Sequence, residues 1–169
     1  MDLITALAIC ISVLAGVAAF VLLSPFGLGL QIWVALIAWA TFYHCGGKEA
    51  GLTKAITLNI FGAVMALIML LLVVYVPLGA LLGSPLWIGI CVFITLFILV
   101  YATKVAMLND IAACILGYAA LAGFALEGKN MAVAAGSLDN PFIKVVISLV
   151  IGAALGYIAE KAAGALAKK

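Results

Sequence analysis

Charge is what this sequence has least of. Only 8% of its 169 residues are Asp, Glu, Lys or Arg, a single histidine is present, and eight lysines and six acids are spread along the chain. A soluble globular domain devotes about a quarter of its residues to charge, so that class is excluded. Nucleic-acid binding needs a basic patch and a disordered tail needs a charged, apolar-poor stretch; neither occurs, and no nucleic-acid partner is expected. Cysteine is sparse as well. The four cysteines, at positions 10, 45, 91 and 114, form no C-x-x-C pair, and three fall in apolar runs where a thiol acts as a small buried hydrophobe. Neither a disulfide framework nor a metal site is expected. H-E-x-x-H, G-x-S-x-G and carboxylate pairs in helical register are all missing, so no enzyme chemistry and no cofactor is expected. Residues 123–129 fit G-x-x-x-x-G-K, but no strand precedes them and Asn130 stands where a Ser or Thr would hold magnesium, which excludes a nucleotide site.

What is there is apolar: 69% of the side chains are hydrophobic and the mean hydropathy is +1.45. Such a chain belongs in a lipid bilayer. A bilayer core about 30 Å thick asks for roughly 20 apolar residues per helix, because every backbone amide must be bonded within the segment. Six runs qualify, at residues 4–23, 30–43, 52–76, 85–105, 111–126 and from Pro141 into the lysine-bearing tail. The first stops at Ser24-Pro25 and the third at Pro77, since proline cannot extend a helix. Ser84 is the expected N-cap of the fourth, with Pro85 in its first turn, and Asp139 or Asn140 that of the sixth. The second and fifth runs are short. The start Met1-Asp2 carries no basic segment ahead of its long apolar run, so a retained helix is expected rather than a signal peptide.

Six crossings put both termini on one side. With the termini inside, Lys48, Lys54, Lys104, Lys161, Lys168 and Lys169 lie on cytoplasmic segments and only Lys129 and Lys144 lie outside, as the positive-inside rule asks. Trp33, Trp87, Tyr75 and Tyr101 fall near helix ends, where amphipathic rings settle at headgroup level.

The chain also repeats itself. Residues 52–56, Leu-Thr-Lys-Ala-Ile, lie over 142–146, Phe-Ile-Lys-Val-Val, and Gly62-Ala63 over Gly152-Ala153, at one constant offset of ninety positions. Ile9-Cys10 of the first helix matches Ile90-Cys91 of the fourth, and Ala38-Trp39-Ala40 of the second matches Gly117-Tyr118-Ala119 of the fifth, with a longer loop at 127–140 absorbing the difference. Moving three helices along the chain reverses direction through the bilayer, so such halves are antiparallel copies. The expected fold is therefore all-α and polytopic: one transmembrane domain over 1–169, built as two inverted three-helix repeats, 1–77 and 84–163. The short helices fall at corresponding places, which is the sequence pattern of a solute site in inverted-repeat transporters and channels. Tilt or local thinning of the bilayer accounts for short helices equally well.

Polar residues inside a membrane each need a reason. The second helix leads into Thr41-Phe42-Tyr43-His44-Cys45-Gly46-Gly47-Lys48, and His44 is the one side chain that titrates near neutrality unaided; it serves as a loop residue or in a proton relay. Asn109 or Asp110 is expected to cap the fifth helix, and Asp110 at depth would instead mark a cation or proton path. Asn59 either bonds a neighbouring helix or lines a cavity. Gly152-x-x-x-Gly156 has the spacing that lets two helices approach closely.

Phe42-Tyr43, Gly46-Gly47, Gly51-Leu52, Asn59 and Gly62 in the first half, with Gly117, Phe124-Ala125, Gly152 and Gly156-Tyr157 in the second, carry a resemblance. Over nearly its whole length the chain resembles the uncharacterised family of small bacterial inner-membrane proteins typified by YcdZ. Asn109-Asp110 departs from that pattern, which has proline and glycine ahead of the short fifth helix. The resemblance implies a bacterial plasma-membrane location and the fold, and no activity.

The expected function is a channel or facilitator for a small, uncharged solute, because ion-coupled pumps carry several intramembrane ionisable groups and this chain has at most Asp110 and His44. Its pathway residues are Trp39, Phe42, Tyr43, His44, Asn59, Asn109, Asp110, Tyr118 and Phe124. Its partners are the lipid bilayer, the solute, and further copies of itself in a symmetric homo-oligomer such as a trimer. A proton-coupled carrier and a non-transporting scaffold or accessory subunit are the competing readings.

Overall fold

The computed structural model describes residues 1–76 and 78–167. Pro77, expected to end the third helix, and Lys168 and Lys169, expected on the inner face, lie outside the described residues. The described residues form seven helices and no strand: α1 (Leu3–Leu23), α2 (Ile32–His44), α3 (Lys48–Tyr75), α4 (Gly79–Leu82), α5 (Ser84–Ala102), α6 (Ile111–Leu126) and α7 (Pro141–Ala167). Four of these, α1, α3, α5 and α7, are long and apolar enough to cross a membrane, and they mark the chain as a membrane protein. At 1.5 Å per residue the 13 residues of α2 and 16 of α6 reach only about 20 and 24 Å.

Local chemistry sets the ends. The Asp2 carboxylate caps α1, accepting the Thr5 amide at 2.9 Å and the Thr5 hydroxyl at 2.6 Å. Asp110 caps α6 by accepting the Ala113 amide at 3.0 Å. Of the two caps open to α7 the fold uses Asn140, whose Oδ1 accepts from the Phe142 amide at 2.9 Å while its Nδ2 donates to the Val133 and Ala135 carbonyls. Two expectations need correction. Ser84 does not cap α5 but lies inside it, because Gly83, at φ +86°, makes the turn into the helix. And α3 starts at Lys48, four residues before position 52, through a polar stretch whose cap comes from far along the chain. Single 3₁₀ turns at Pro25–Gly27 and Ala106–Leu108, and the short α4, were not expected from the sequence.

The chain packs as two compact units. One comprises Met1–Ile56 with Ile147–Lys169, the other Thr57–Val146. In the first unit α2 lies against α7: the Gln31 amide donates to Ser148 Oγ at 3.0 Å, Gly152 faces the Ala35 carbonyl, and Gly156 faces the Trp39 and Phe42 rings. The numbers rise together along both helices, so α2 and α7 run in the same direction. A methyl on Gly152 would fall inside the Ala35 carbonyl, and one on Gly156 would lie 2.8 Å from both rings; hydrogen side chains let these backbones meet. Ala6 and Cys10 of α1, Trp39 of α2 and Ala159 and Ala163 of α7 form a buried cluster, which brings the start of α1, the end of α2 and the end of α7 together.

In the second unit α3 lies against α6. Gly62 faces the Cys114 carbonyl and Gly117 the Asn59 carbonyl, each too close for a methyl group. Leu58, Met69, Leu70, Leu99 and Leu121 fill the core. Inside it, the Thr95 hydroxyl donates to the Cys91 carbonyl at 2.8 Å, which leaves Tyr118 as the donor of the 2.9 Å bond between Tyr118 Oη and Thr95 Oγ1. Trp87, expected at an interface, is buried here against Gly79.

Candidate functional site

The first unit carries the richest polar arrangement, and it grows from the turn between α2 and α3. Gly46 at φ +92° and Gly47 at φ +67° turn the chain after His44, and Lys48 at φ +57° begins α3. These are left-handed conformations that glycine adopts without strain. The turn delivers the α3 amino end to Glu160 of α7, whose Oε2 accepts the Lys48 amide at 2.7 Å. A carboxylate suits that position, since the first amides of a helix lack partners within it and carry partial positive charge. A side chain at Gly47 would strike the same carboxylate, at 2.7 Å from Oε1.

One turn before Glu160, the Tyr157 hydroxyl donates to Glu49 Oε1 at 3.1 Å, and the Lys161 ammonium stands 4.4 Å from the Tyr157 ring centre, a cation–π contact. Lys48, Glu49, Tyr157, Glu160 and Lys161, with Ala50, Gly164 and Ala165, line an open groove of about 680 Å³. The Tyr157 ring also meets Phe42 edge-on at 6.4 Å, and Phe42 meets Tyr43 at 5.1 Å. The groove is thus joined to the buried aromatic end of α2.

Of the pathway residues named from sequence, Trp39, Phe42 and Tyr43 come together in this unit. Trp39 is 4% exposed and Phe42 fully buried, while Tyr43 is half-buried with a shielded hydroxyl. His44 is exposed at the end of α2. In the other unit Asn59 is fully buried at the α3–α6 contact beside Gly117, and Tyr118 is bound to Thr95. Asp110 is the half-buried cap of α6, Asn109 is exposed just before it, and Phe124 is half-buried near its end. Sequence reasoning missed Gln31, Ser148, Thr95, Glu49, Glu160 and Lys161 as site-forming residues. For the last two a signal was available: Tyr157, Glu160 and Lys161 stand at i, i+3 and i+4, one helix face that concentrates polarity at the end of an apolar run.

Long apolar helices closing on small residues, with polarity gathered at helix ends and at two short helices, define an all-helical membrane protein. A family model described as a protein of unknown function, DUF1097, matches residues 8–164, and the chain belongs to that family. Neither a curated protein nor a solved structure matches the chain.

Proposed function

We propose that the protein is a facilitator for a small, uncharged solute, with six membrane crossings arranged as two inverted three-helix repeats. The observation that carries this reading is where α2 begins. Its first amide bond is to Ser148, the eighth residue of α7, so this helix starts about 10 Å along its long neighbour. A polar helix end at that depth is tolerated only beside protein or water. Here Gln31, Ser148 and the Trp33 indole, which donates to Gln31 Oε1 at 3.0 Å, surround it with hydrogen-bonding groups.

Three features support the repeat. The offsets read from sequence carry Gly62 onto Gly152 and Ala35 onto Cys114, and the two glycines make the same contact, each against that carbonyl of its unit. The two units divide after Ile56 and after Val146, positions ninety residues apart. And α2 runs alongside α7 in one direction, as second and sixth crossings must. We further infer that the termini face the cytoplasm of a bacterial inner membrane, that the working form is a homo-oligomer, and that the family is the one typified by YcdZ.

Asp110 separates this reading from a proton-coupled carrier. Its carboxylate is engaged as a helix cap, a role asparagine fills as well. Stopped-flow shrinkage of proteoliposomes with urea, acetamide and glycerol tests the proposal. Facilitated entry of at least one solute, independent of a pH gradient and retained in Asp110→Asn, is the expected result. Uptake that needs the gradient and is lost in Asp110→Asn identifies a carrier, and no permeability above empty vesicles leaves the scaffold.

A further inference from the structure

The groove between the start of α3 and the end of α7 carries two charges of each sign. Lys48 and Glu49 open α3, and Glu160 and Lys161 stand near the end of α7, so the formal charge of its walls is zero. The Lys161 ammonium lies over the Tyr157 ring and within reach of its hydroxyl and of the Glu49 carboxylate. Glu49 accepts from the Tyr157 hydroxyl and Glu160 from the Lys48 amide. An ionised carboxylate has about four lone-pair sites, so both can accept further bonds. A groove of about 680 Å³ with such walls suits a ligand that brings both signs of charge.

Helix length sets this groove at the membrane surface. With 28 and 27 residues, α3 and α7 extend about 42 and 40 Å, against about 30 Å of hydrocarbon and about 40–45 Å once the headgroup layers are included. Their ends therefore reach the headgroups. A second groove of about 250 Å³ lies on the neighbouring side of α7, lined by Ile158 and Ala162 with Ile9, Cys10, Val13 and Leu14 of α1, and it is apolar. Ile158 and Ala162 follow Tyr157 and Lys161 by one position each, about 100° round the helix. Adjacent faces of α7 thus border a charged groove and an apolar one.

We propose that the charged groove binds the headgroup of a zwitterionic phospholipid with a primary ammonium, its phosphate set against Lys48 and Lys161, its ammonium against Glu49 and Glu160, and one acyl chain in the groove between α1 and α7. Charge complementarity selects this occupant. A net-negative headgroup would set more negative charge against both carboxylates. A quaternary ammonium has no hydrogen to donate to them, and the Tyr157 face that could hold it is covered by Lys161. A primary ammonium brings three donors. A soluble zwitterion shares this chemistry but has no chain for the apolar groove. The proposal needs neither permeation nor the repeat.

The test titrates the full chain in detergent micelles with phosphatidylethanolamine, phosphatidylcholine and phosphatidylglycerol of matched acyl chains, and counts bound lipid by native mass spectrometry. Phosphatidylethanolamine is expected to bind about tenfold more tightly than either of the others, the scale of one charge-assisted hydrogen bond. Glu49→Gln, at an exposed position that caps no helix, should narrow that ratio, and Glu49→Gln with Glu160→Gln should remove it, with helix content by circular dichroism unchanged. Glycerophosphoethanolamine, the same headgroup without chains, should fail to displace the lipid. Equal binding of the three lipids, or a preference that survives in the double variant, overturns the proposal. Displacement by the chain-free headgroup also overturns it, by making the occupant a soluble zwitterion.

Discussion

At the scale of single residues, Asp2, Asp110 and Asn140 cap helices, and the sequence shows which positions need a cap better than which residue supplies it. Asp139 and Asn140 are both good capping residues, and nothing local decides between them. The decision falls to Asn140 because its amide also donates to the Val133 and Ala135 carbonyls, which a carboxylate cannot do. Asn140→Ala should therefore lower stability by about 1–3 kcal/mol in equilibrium unfolding in detergent. Asn140→Asp, although a good cap, should cost no less, because it sets an oxygen against two carbonyls. Asp2 gives a pH dependence. The Thr5 hydroxyl and amide hold its carboxyl below the usual aspartate range. A carboxyl lowered on folding adds stability above its unfolded pKa and loses it as pH falls through the folded one. Exchange protection of the first amides of α1 should accordingly drop on acidification below the ordinary aspartate range, and Asp2→Asn, which cannot titrate, should flatten that drop.

At the scale of elements, α6 is found over the residues expected, Ile111–Leu126, and α1 within one residue, because an apolar run bounded by a cap or a proline defines a helix locally. The start of α3 was not legible, since Lys48-Glu49-Ala50-Gly51 has no apolar periodicity and its capping carboxylate, Glu160, is 112 residues away. The charged groove escaped for the same reason, being assembled from two distant helix ends. Glu160→Gln keeps an oxygen acceptor but removes the negative charge from the α3 amino end, an effect of about 0.3–1 kcal/mol. Hydrogen exchange should speed up over residues 48–51 while the middle of α3 stays protected. Gly47→Ala should do more damage, since it combines a left-handed backbone with a methyl group aimed at the Glu160 carboxylate.

At the scale of the whole molecule, the repeat was visible in sequence only as a few matched apolar and small residues, a signal that composition alone can imitate. What gives those matches physical content is that the glycines they align do the same job. Gly62 admits the Cys114 carbonyl and Gly152 the Ala35 carbonyl, each where a methyl would overlap the oxygen. If the halves are copies, the two sites should respond alike to the same insult, although one joins α3 to α6 and the other α7 to α2. Gly62→Ala and Gly152→Ala are expected to destabilise by similar amounts, about 1–3 kcal/mol each, as overpacked contacts do. The double variant should come close to the sum, since the two contacts share no residue. Gly16 and Gly89 face open space, so alanine there should be tolerated and serves as the control. Unfolding in detergent followed by circular dichroism reads all five proteins. Unequal losses, with one glycine tolerant and the other not, would mean that the aligned residues share composition rather than structure.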